Sequence, residues 1–350
     1  MSGIQLLPFQ SRASQQIVNR YGALIEDARR PWVHQSWKVP FYQALSALTG
    51  AGKTPILADA VAQMRLLMVQ QPIVLWISKA KAVVDQTYAN FDAGGKYNHL
   101  IDGFDVRYLS DVTPELLSDA TTPCILLATV GTFNQKDKGD GTLLVHKSQH
   151  DQSPVSLWQS LTDRESDGVR RPLVIVYDEG HNLSDQQTDL LLELEPDAIV
   201  VASATMRTPA KLGKLIDRLV DHGWSERPEN DTKDEIKTSL ITAVSNKAVV
   251  DAGLVKLQVD LGGYTAIMET MIDDLLDRMV LAETAADDLQ AGFKPKAIYV
   301  SKTNINQEDG SIDSPSKPFE ERRAPPILIW RYLVEQKNID PSERAFWRSG

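Results

Sequence analysis

Residues 47–54 (ALTGAGKT) have the make-up of a loop that wraps a phosphate. Gly50, Gly52 and the small Ala51 let the backbone curl until its N–H groups converge on phosphate oxygens. Lys53 can then reach the β- and γ-phosphates of a nucleoside triphosphate, and the Thr54 hydroxyl can ligate Mg²⁺. A helix starting here adds the positive end of its dipole to the same anion site. The strict form of this pattern has glycine where this chain has Ala47. Gly-Lys-Thr also occurs at helix starts that hold no ligand, so the surroundings have to decide.

They favour the phosphate loop. Residues 40–46 (PFYQALS) are apolar and aromatic, as suits a buried strand feeding the loop. Pro55 is tolerated in a first helical turn, where its missing N–H costs nothing. Ile56, Leu57, Ala60, Val61, Met64, Leu67 and Met68 then recur at helical spacing. A second constellation lies at 173–181 (LVIVYDEGH), an apolar run closed by two adjacent carboxylates. Such a run places them at the carboxyl end of a buried strand, where ligands gather in open α/β sheets. Asp178 would hold Mg²⁺ opposite Thr54, and Glu179 would orient and deprotonate an attacking water. The competing reading is a solvated Asp-Glu pair ending a strand, which the apolarity of this strand weakens.

In these residues the chain resembles the superfamily 2 helicases and translocases, the DEAD/DEAH-box relatives. Residues 47–54 match that group's A-x-T-G-x-G-K-T form, which accounts for Ala47 and adds Thr49 to the phosphate-binding set. DEGH at 178–181 matches its DExH box and brings in His181 beside Lys53, Asp178 and Glu179. Ser203, Ala204 and Thr205 match its third motif, which links nucleotide state to the nucleic-acid groove. Upstream, Leu7, Pro8, Phe9 and Gln10 with Ala13 are similar to its adenine-reading glutamine motif; the Gln10 amide both donates and accepts. The resemblance implies ATP and Mg²⁺ as cofactors and a nucleic acid as partner. It also casts the ends of two further predicted strands, 73–78 and 124–130, as walls of the groove. Ser78, Lys79 and Thr129 would then meet backbone phosphates; on residue type alone they read as loop and helix-capping positions.

The implied fold is α/β: a RecA-like P-loop domain with a mostly parallel sheet over 1–245, a linker and long helix over 246–293, and the start of a second RecA-like domain over 294–350. Residues 135–153 read as a polar loop and 247–264 as a bridge out of the first domain. The long helix is expected over 265–288, from Ile267, Met271, Leu275 and Met279. A buried strand is expected over 295–301, a polar loop over 303–324 and a helix over 327–335. A second domain would need roughly a hundred more residues, carrying the arginines that stabilise transition-state charge; Arg322 and Arg323 read instead as linker. The expectation is an incomplete motor with weak turnover alone.

Composition fits a globular protein, with 42% hydrophobic and 24% charged residues. No apolar stretch approaches the ~20 residues that span a membrane, and the N-terminus has no basic-then-apolar signal. Cys124 is the single cysteine, which excludes a disulfide framework or a cysteine metal site. His146 and His150 are four apart but lie in a polar stretch. A cytoplasmic location follows by default. The net charge of −10 disfavours indiscriminate nucleic-acid binding without excluding a local basic groove.

Within the superfamily the nearest likeness is to the restriction-subunit branch, on DEGH, on 249–256 (VVDAGLVK) and on 294–297 (KPKA). That implies duplex DNA rather than RNA as track, and a methyltransferase or other defence-complex subunit as partner. The E-x-K triplets at Glu235–Lys237 and Glu335–Lys337 are too polar in context for a nuclease strand. Two other readings stay open: a nucleotide-binding regulatory module with an inactive motor, and an RNA helicase. A small-molecule kinase is disfavoured by Ser203-Ala204-Thr205.

Overall fold

In the computed structural model, the described residues are 4–27, 33–34, 37–134, 156–205, 208–227, 238–255, 267–288, 290, 295–297, 299, 305, 310–313 and 316–340. The chain divides into two compact units, Met1–Gln258 and Val259–Gly350.

The first unit is built on seven parallel strands: β1 (Phe41–Ser46), β2 (Ile73–Ser78), β3 (Asp105–Tyr108), β4 (Cys124–Thr129), β5 (Leu173–Asp178), β6 (Ala198–Ser203) and β7 (Ile241–Ala243). Their order across the sheet is β7-β1-β6-β5-β2-β4-β3. All six residues of β2, β5 and β6 are buried, so these strands are covered on both faces. That is why they read as continuous apolar runs without alternation. The helices include α1 (Pro8–Ile25), α2 (Lys53–Met64), α3 (Lys81–Phe91), α4 (Asp185–Glu193), α5 (Ala210–Asp221) and α6 (Asn246–Asp251). Pro8 opens α1 at a position that needs no N–H, and Gln10 Oε1 accepts the Leu7 N–H at 2.9 Å, half of a capping box. This is the sheet of a RecA-like P-loop domain.

β6 lies between β1 and β5. The phosphate-loop strand and the Asp-Glu strand are therefore one strand apart, with the Ser203 end of β6 between their carboxyl ends. At the opposite end of the sheet, two buried arginines gather the amino ends of four strands. Arg171 donates to the carbonyls of Gln71, Leu116, Leu117 and Thr122 at 2.8–3.2 Å, just ahead of β2 and β4. Arg164 donates to the carbonyls of Leu161, Arg171, Leu194 and Glu195 at 2.8–2.9 Å, ahead of β5 and β6. Burial lowers the Arg164 guanidinium to about 10, which leaves it charged at neutral pH.

The predicted strands over 40–46, 73–78, 124–130 and 173–178 are present to within a residue or two. Within the expected bridge at 247–264, Asn246–Asp251 form α6, capped by the Ser245 hydroxyl on Ala248 N–H. Residues 256–264 and the expected loop at 135–153 lie outside the described residues, as do His146, His150 and Glu235–Lys237.

In the second unit, α7 (Met268–Asp288) is the long helix expected over 265–288, and α8 (Pro325–Arg331) continues into a π-turn, Tyr332–Gln336. The Tyr332 hydroxyl donates to Asp273 at 3.0 Å and Lys337 pairs with it at 2.7 Å, tying the turn to α7. Of the strand expected over 295–301, residues 295–297 and 299 have no strand pairing and the others lie outside the described residues. Glu335 sits in the π-turn, so the second E-x-K triplet is not on a strand. Among the described residues no helix is long and apolar enough to cross a membrane.

The arginine contacts yield a stability test. Arg171→Met keeps apolar bulk but removes the donor from four carbonyls, of which that of Leu117 is buried and the others part-buried, at up to ~1–3 kcal/mol for a group that water cannot reach. The expected result is a large fall in urea midpoint, with ligand binding retained wherever the variant is still folded. A midpoint equal to the parent's would show that these carbonyls do not depend on the guanidinium.

Candidate functional site

The phosphate loop leaves β1 at Ser46 and returns into α2 at Lys53. Gly50 and Gly52 have φ of +87° and +81°, a region open to glycine but costly for other residues. A side chain on Gly52 would also collide with Gln10, whose Nε2 would stand 2.3 Å from the new Cβ. The loop is fastened at three places. Ala47 N–H donates to the Ser203 carbonyl at 3.2 Å, joining the loop to β6. Gln10 Nε2 donates to the Ala51 carbonyl at 2.9 Å. Ala47 and Ala51 pack against buried Val249 of α6, a contact that apolar spacing alone does not reveal.

Gln10 is thus committed on both sides of its amide, to Leu7 and to Ala51. One amide hydrogen and one oxygen lone pair remain for anything further.

At the floor of the loop the two constellations meet. Lys53 Nζ lies 3.3 Å from Glu179 Oε1, and Thr54 Oγ1 lies 3.5 Å from Asp178 Oδ2. A cation, a hydroxyl and two carboxylates therefore converge, although they are more than a hundred residues apart in sequence. Asp178 is almost wholly buried at 6% exposure. Burial pushes its carboxyl above the ordinary carboxylate value, Glu179 adds to that, and the Lys53 ammonium opposes it. Glu179 has φ +63°, a left-handed conformation that costs a non-glycine residue about 1–2 kcal/mol. That turn carries its side chain toward Lys53. The next residue has no choice of type: a Cβ on Gly180 would fall 2.0 Å from Val201 Cγ1 on β6.

Hard oxygen donors such as Thr54 Oγ1 and Asp178 Oδ2 suit Mg²⁺, which usually takes one or two protein ligands and leaves the rest to phosphate and water. Among the described residues no cluster of three or more His, Cys, Asp or Glu side chains could hold a metal by itself. The open backbone at Gly50–Gly52 beside Lys53 suits a phosphate chain. The residues present fit a nucleotide with its magnesium.

His181 Nδ1 lies 3.1 Å from Ser203 Oγ and 3.3 Å from Glu179 Oε2. Ser203 Oγ donates to the Thr205 carbonyl at 2.8 Å and accepts the Thr205 N–H at 3.2 Å, so the Ser-Ala-Thr turn is closed on itself; Ala204 is half-buried and Thr205 exposed. Thr49 is exposed on the loop. Lys79 is exposed just beyond β2, and Thr129 is half-buried at the end of β4, its hydroxyl 3.3 Å from that of Thr132. Ser78 is buried at 2%, beside Thr129 in the sheet register, and its hydroxyl has no hydrogen-bond partner among the described residues. Asn182, which bonds both His181 and Lys79, lies just outside the DEGH motif.

The model of a family described as type III restriction enzyme, res subunit, a helicase superfamily 2 family, matches residues 3–208, more than half of the chain. The match spans every site residue from Gln10 to Thr205. No curated protein matches the chain.

The buried carboxylate sets a test with a definite sign. A carboxyl raised in the folded state costs stability once the pH is above its folded value, and that cost vanishes below the ordinary value of 3.8. Asp178→Asn is therefore expected to melt above the parent at pH 7. The gap should narrow as the pH is lowered toward the ordinary value. Equal melting temperatures across that range would mean that Asp178 is not held against its solvation.

Proposed function

The chain belongs to the family of type III restriction enzyme res subunits, and we propose that it is the ATP-driven part of a motor that tracks along duplex DNA. The observation that carries the proposal is the convergence of Lys53, Thr54, Asp178 and Glu179 at the carboxyl ends of β1 and β5. In this reading the backbone of Thr49–Thr54 cradles the phosphates and the Lys53 ammonium grips their β- and γ-oxygens. Thr54 and Asp178 hold Mg²⁺, which supplies neutralisation of phosphate charge when bound. Glu179 aligns water for in-line attack on the γ-phosphorus and accepts its proton as the bond to ADP breaks. His181 and the Ser203–Thr205 turn link that centre to the groove. Gln10 spends part of its amide on the loop and offers the remainder to an adenine edge.

Lys79 and Thr129 stand at the carboxyl edge of the sheet on the strands beyond β5, and are proposed as contacts to the phosphate backbone. Duplex DNA, a bacterial defence role and a methyltransferase partner are proposals for this chain in keeping with its family, and so is a cytoplasmic setting. A nucleotide-binding regulatory module is the second reading; it would bind nucleotide with no turnover that DNA stimulates.

Two variants test the assignment. Lys53→Ala should lose Mg·ATP affinity, because hydrogen bonds to charged oxygens are worth about 1.5–3 kcal/mol each; undiminished affinity would refute the phosphate loop. Glu179→Gln should keep affinity while turnover falls ~10²-fold or more. Steady-state ATPase measured with and without duplex DNA separates the motor from the regulatory module. Turnover in Glu179→Gln equal to the parent's would move the base elsewhere.

A further inference from the structure

Between Glu179 and the exposed Lys79 runs a chain of hydrogen bonds whose polarity is fixed by chemistry, and Asn182 is its centre. An ammonium only donates, so the group that Lys79 Nζ meets at 3.0 Å is an acceptor, Asn182 Oδ1. The amide nitrogen therefore faces the other way. Its two hydrogens go to the Glu179 carbonyl and to His181 Nε2, each at 3.1 Å. A ring nitrogen that accepts carries no proton, so a neutral His181 has its hydrogen on Nδ1. That hydrogen points to Ser203 Oγ at 3.1 Å and Glu179 Oε2 at 3.3 Å. Ser203 completes the count: it accepts from His181 and from Thr205 N–H and gives its own hydrogen to the Thr205 carbonyl.

We infer that Asn182 is a positioning residue that carries the occupancy of Lys79 to His181, and through it to Glu179 and Ser203. The inference rests on the proposed nucleic-acid role of Lys79. An anionic phosphate oxygen is a stronger acceptor for an ammonium than a neutral amide oxygen is. A phosphate reaching Lys79 therefore takes it from Asn182. The amide then loses one of the two partners that set its direction, and by also giving up its hydrogen bond to the Glu179 carbonyl it can turn Oδ1 toward the ring. A hydrogen on Nε2 becomes the favoured one; water delivers it there as another leaves Nδ1. His181 withdraws its donation from Ser203 and Glu179, so the candidate base and the Ser-Ala-Thr turn register the arrival of a strand at Lys79.

The test uses the whole chain with ¹⁵N-labelled histidine, reading ring tautomers by long-range ¹H–¹⁵N correlation. His181 is identified among the six histidines by its loss in His181→Gln. The expected parent pattern is Nδ1–H, moving toward Nε2–H on adding a duplex oligonucleotide. Asn182→Asp keeps an acceptor for Lys79 but has no hydrogen to give the ring, so its pattern should leave Nδ1–H without DNA. In Asn182→Ala the DNA response should vanish, and the ratio of DNA-stimulated to unstimulated turnover should fall ~5-fold or more. Affinity for a non-hydrolysable ATP analogue should stay at the parent's value. A parent-like pattern and DNA response in both variants would overturn the inference. Failure of the parent to bind the analogue would overturn the nucleotide reading instead, and the comparison of parent with Asn182→Asp would still decide whether Asn182 sets the ring.

Discussion

A carboxylate withheld from water is the constraint around which the first unit is arranged. Asp178 ends the fully buried β5, and the groups that make its position tolerable come from elsewhere: Thr54 and Lys53 from the start of α2, and the Glu179 N–H, 3.1 Å from Asp178 Oδ1. An isolated ion in that place would shift to its neutral form. The phosphate loop is thus a compensation for β5 as well as a ligand-binding element. Its own shape is held in turn by Gln10 and by Val249.

Placing β6 between β1 and β5 gives that arrangement its sensitivity. The Ser203 carbonyl receives the Ala47 N–H of the loop, and the Ser203 hydroxyl faces His181. Val201, two residues earlier, leaves no room for a side chain at Gly180. A displacement of β6 along its axis would disturb both halves of the site at once. The left-handed Glu179 sits at this crowded point, in keeping with strain collecting where geometry must be held.

Much of this was legible in the sequence because the groups involved are local. The loop glycines, Lys53, Thr54 and the DEGH tetrad declare themselves by type and spacing, and β2 and β5 by unbroken apolar runs. What was not legible depends on contacts between distant segments. No periodicity marks Val249 as a support for Ala47 and Ala51. Asn182 looks like any loop asparagine until Lys79, 103 residues away, is seen on its oxygen. The roles of Arg164 and Arg171 have no signature in residue type or spacing, since it is the fold that brings eight carbonyls to them.

Those two arginines and the Asp-Glu pair occupy opposite ends of the same strands. One end governs whether the sheet holds together, and the other what it can do. Random mutagenesis should therefore sort by position along the strand axis. Lesions at Arg164 and Arg171 would behave as temperature-sensitive alleles, low in abundance and suppressed by growth in the cold or by added chaperone. Lesions at Asp178 and Glu179 would leave the protein at full level and strike only what that end of the sheet does, whereas a side chain at Gly180 would count with the unstable class. A genetic map of the gene would thus recover the polarity of the sheet without a structure.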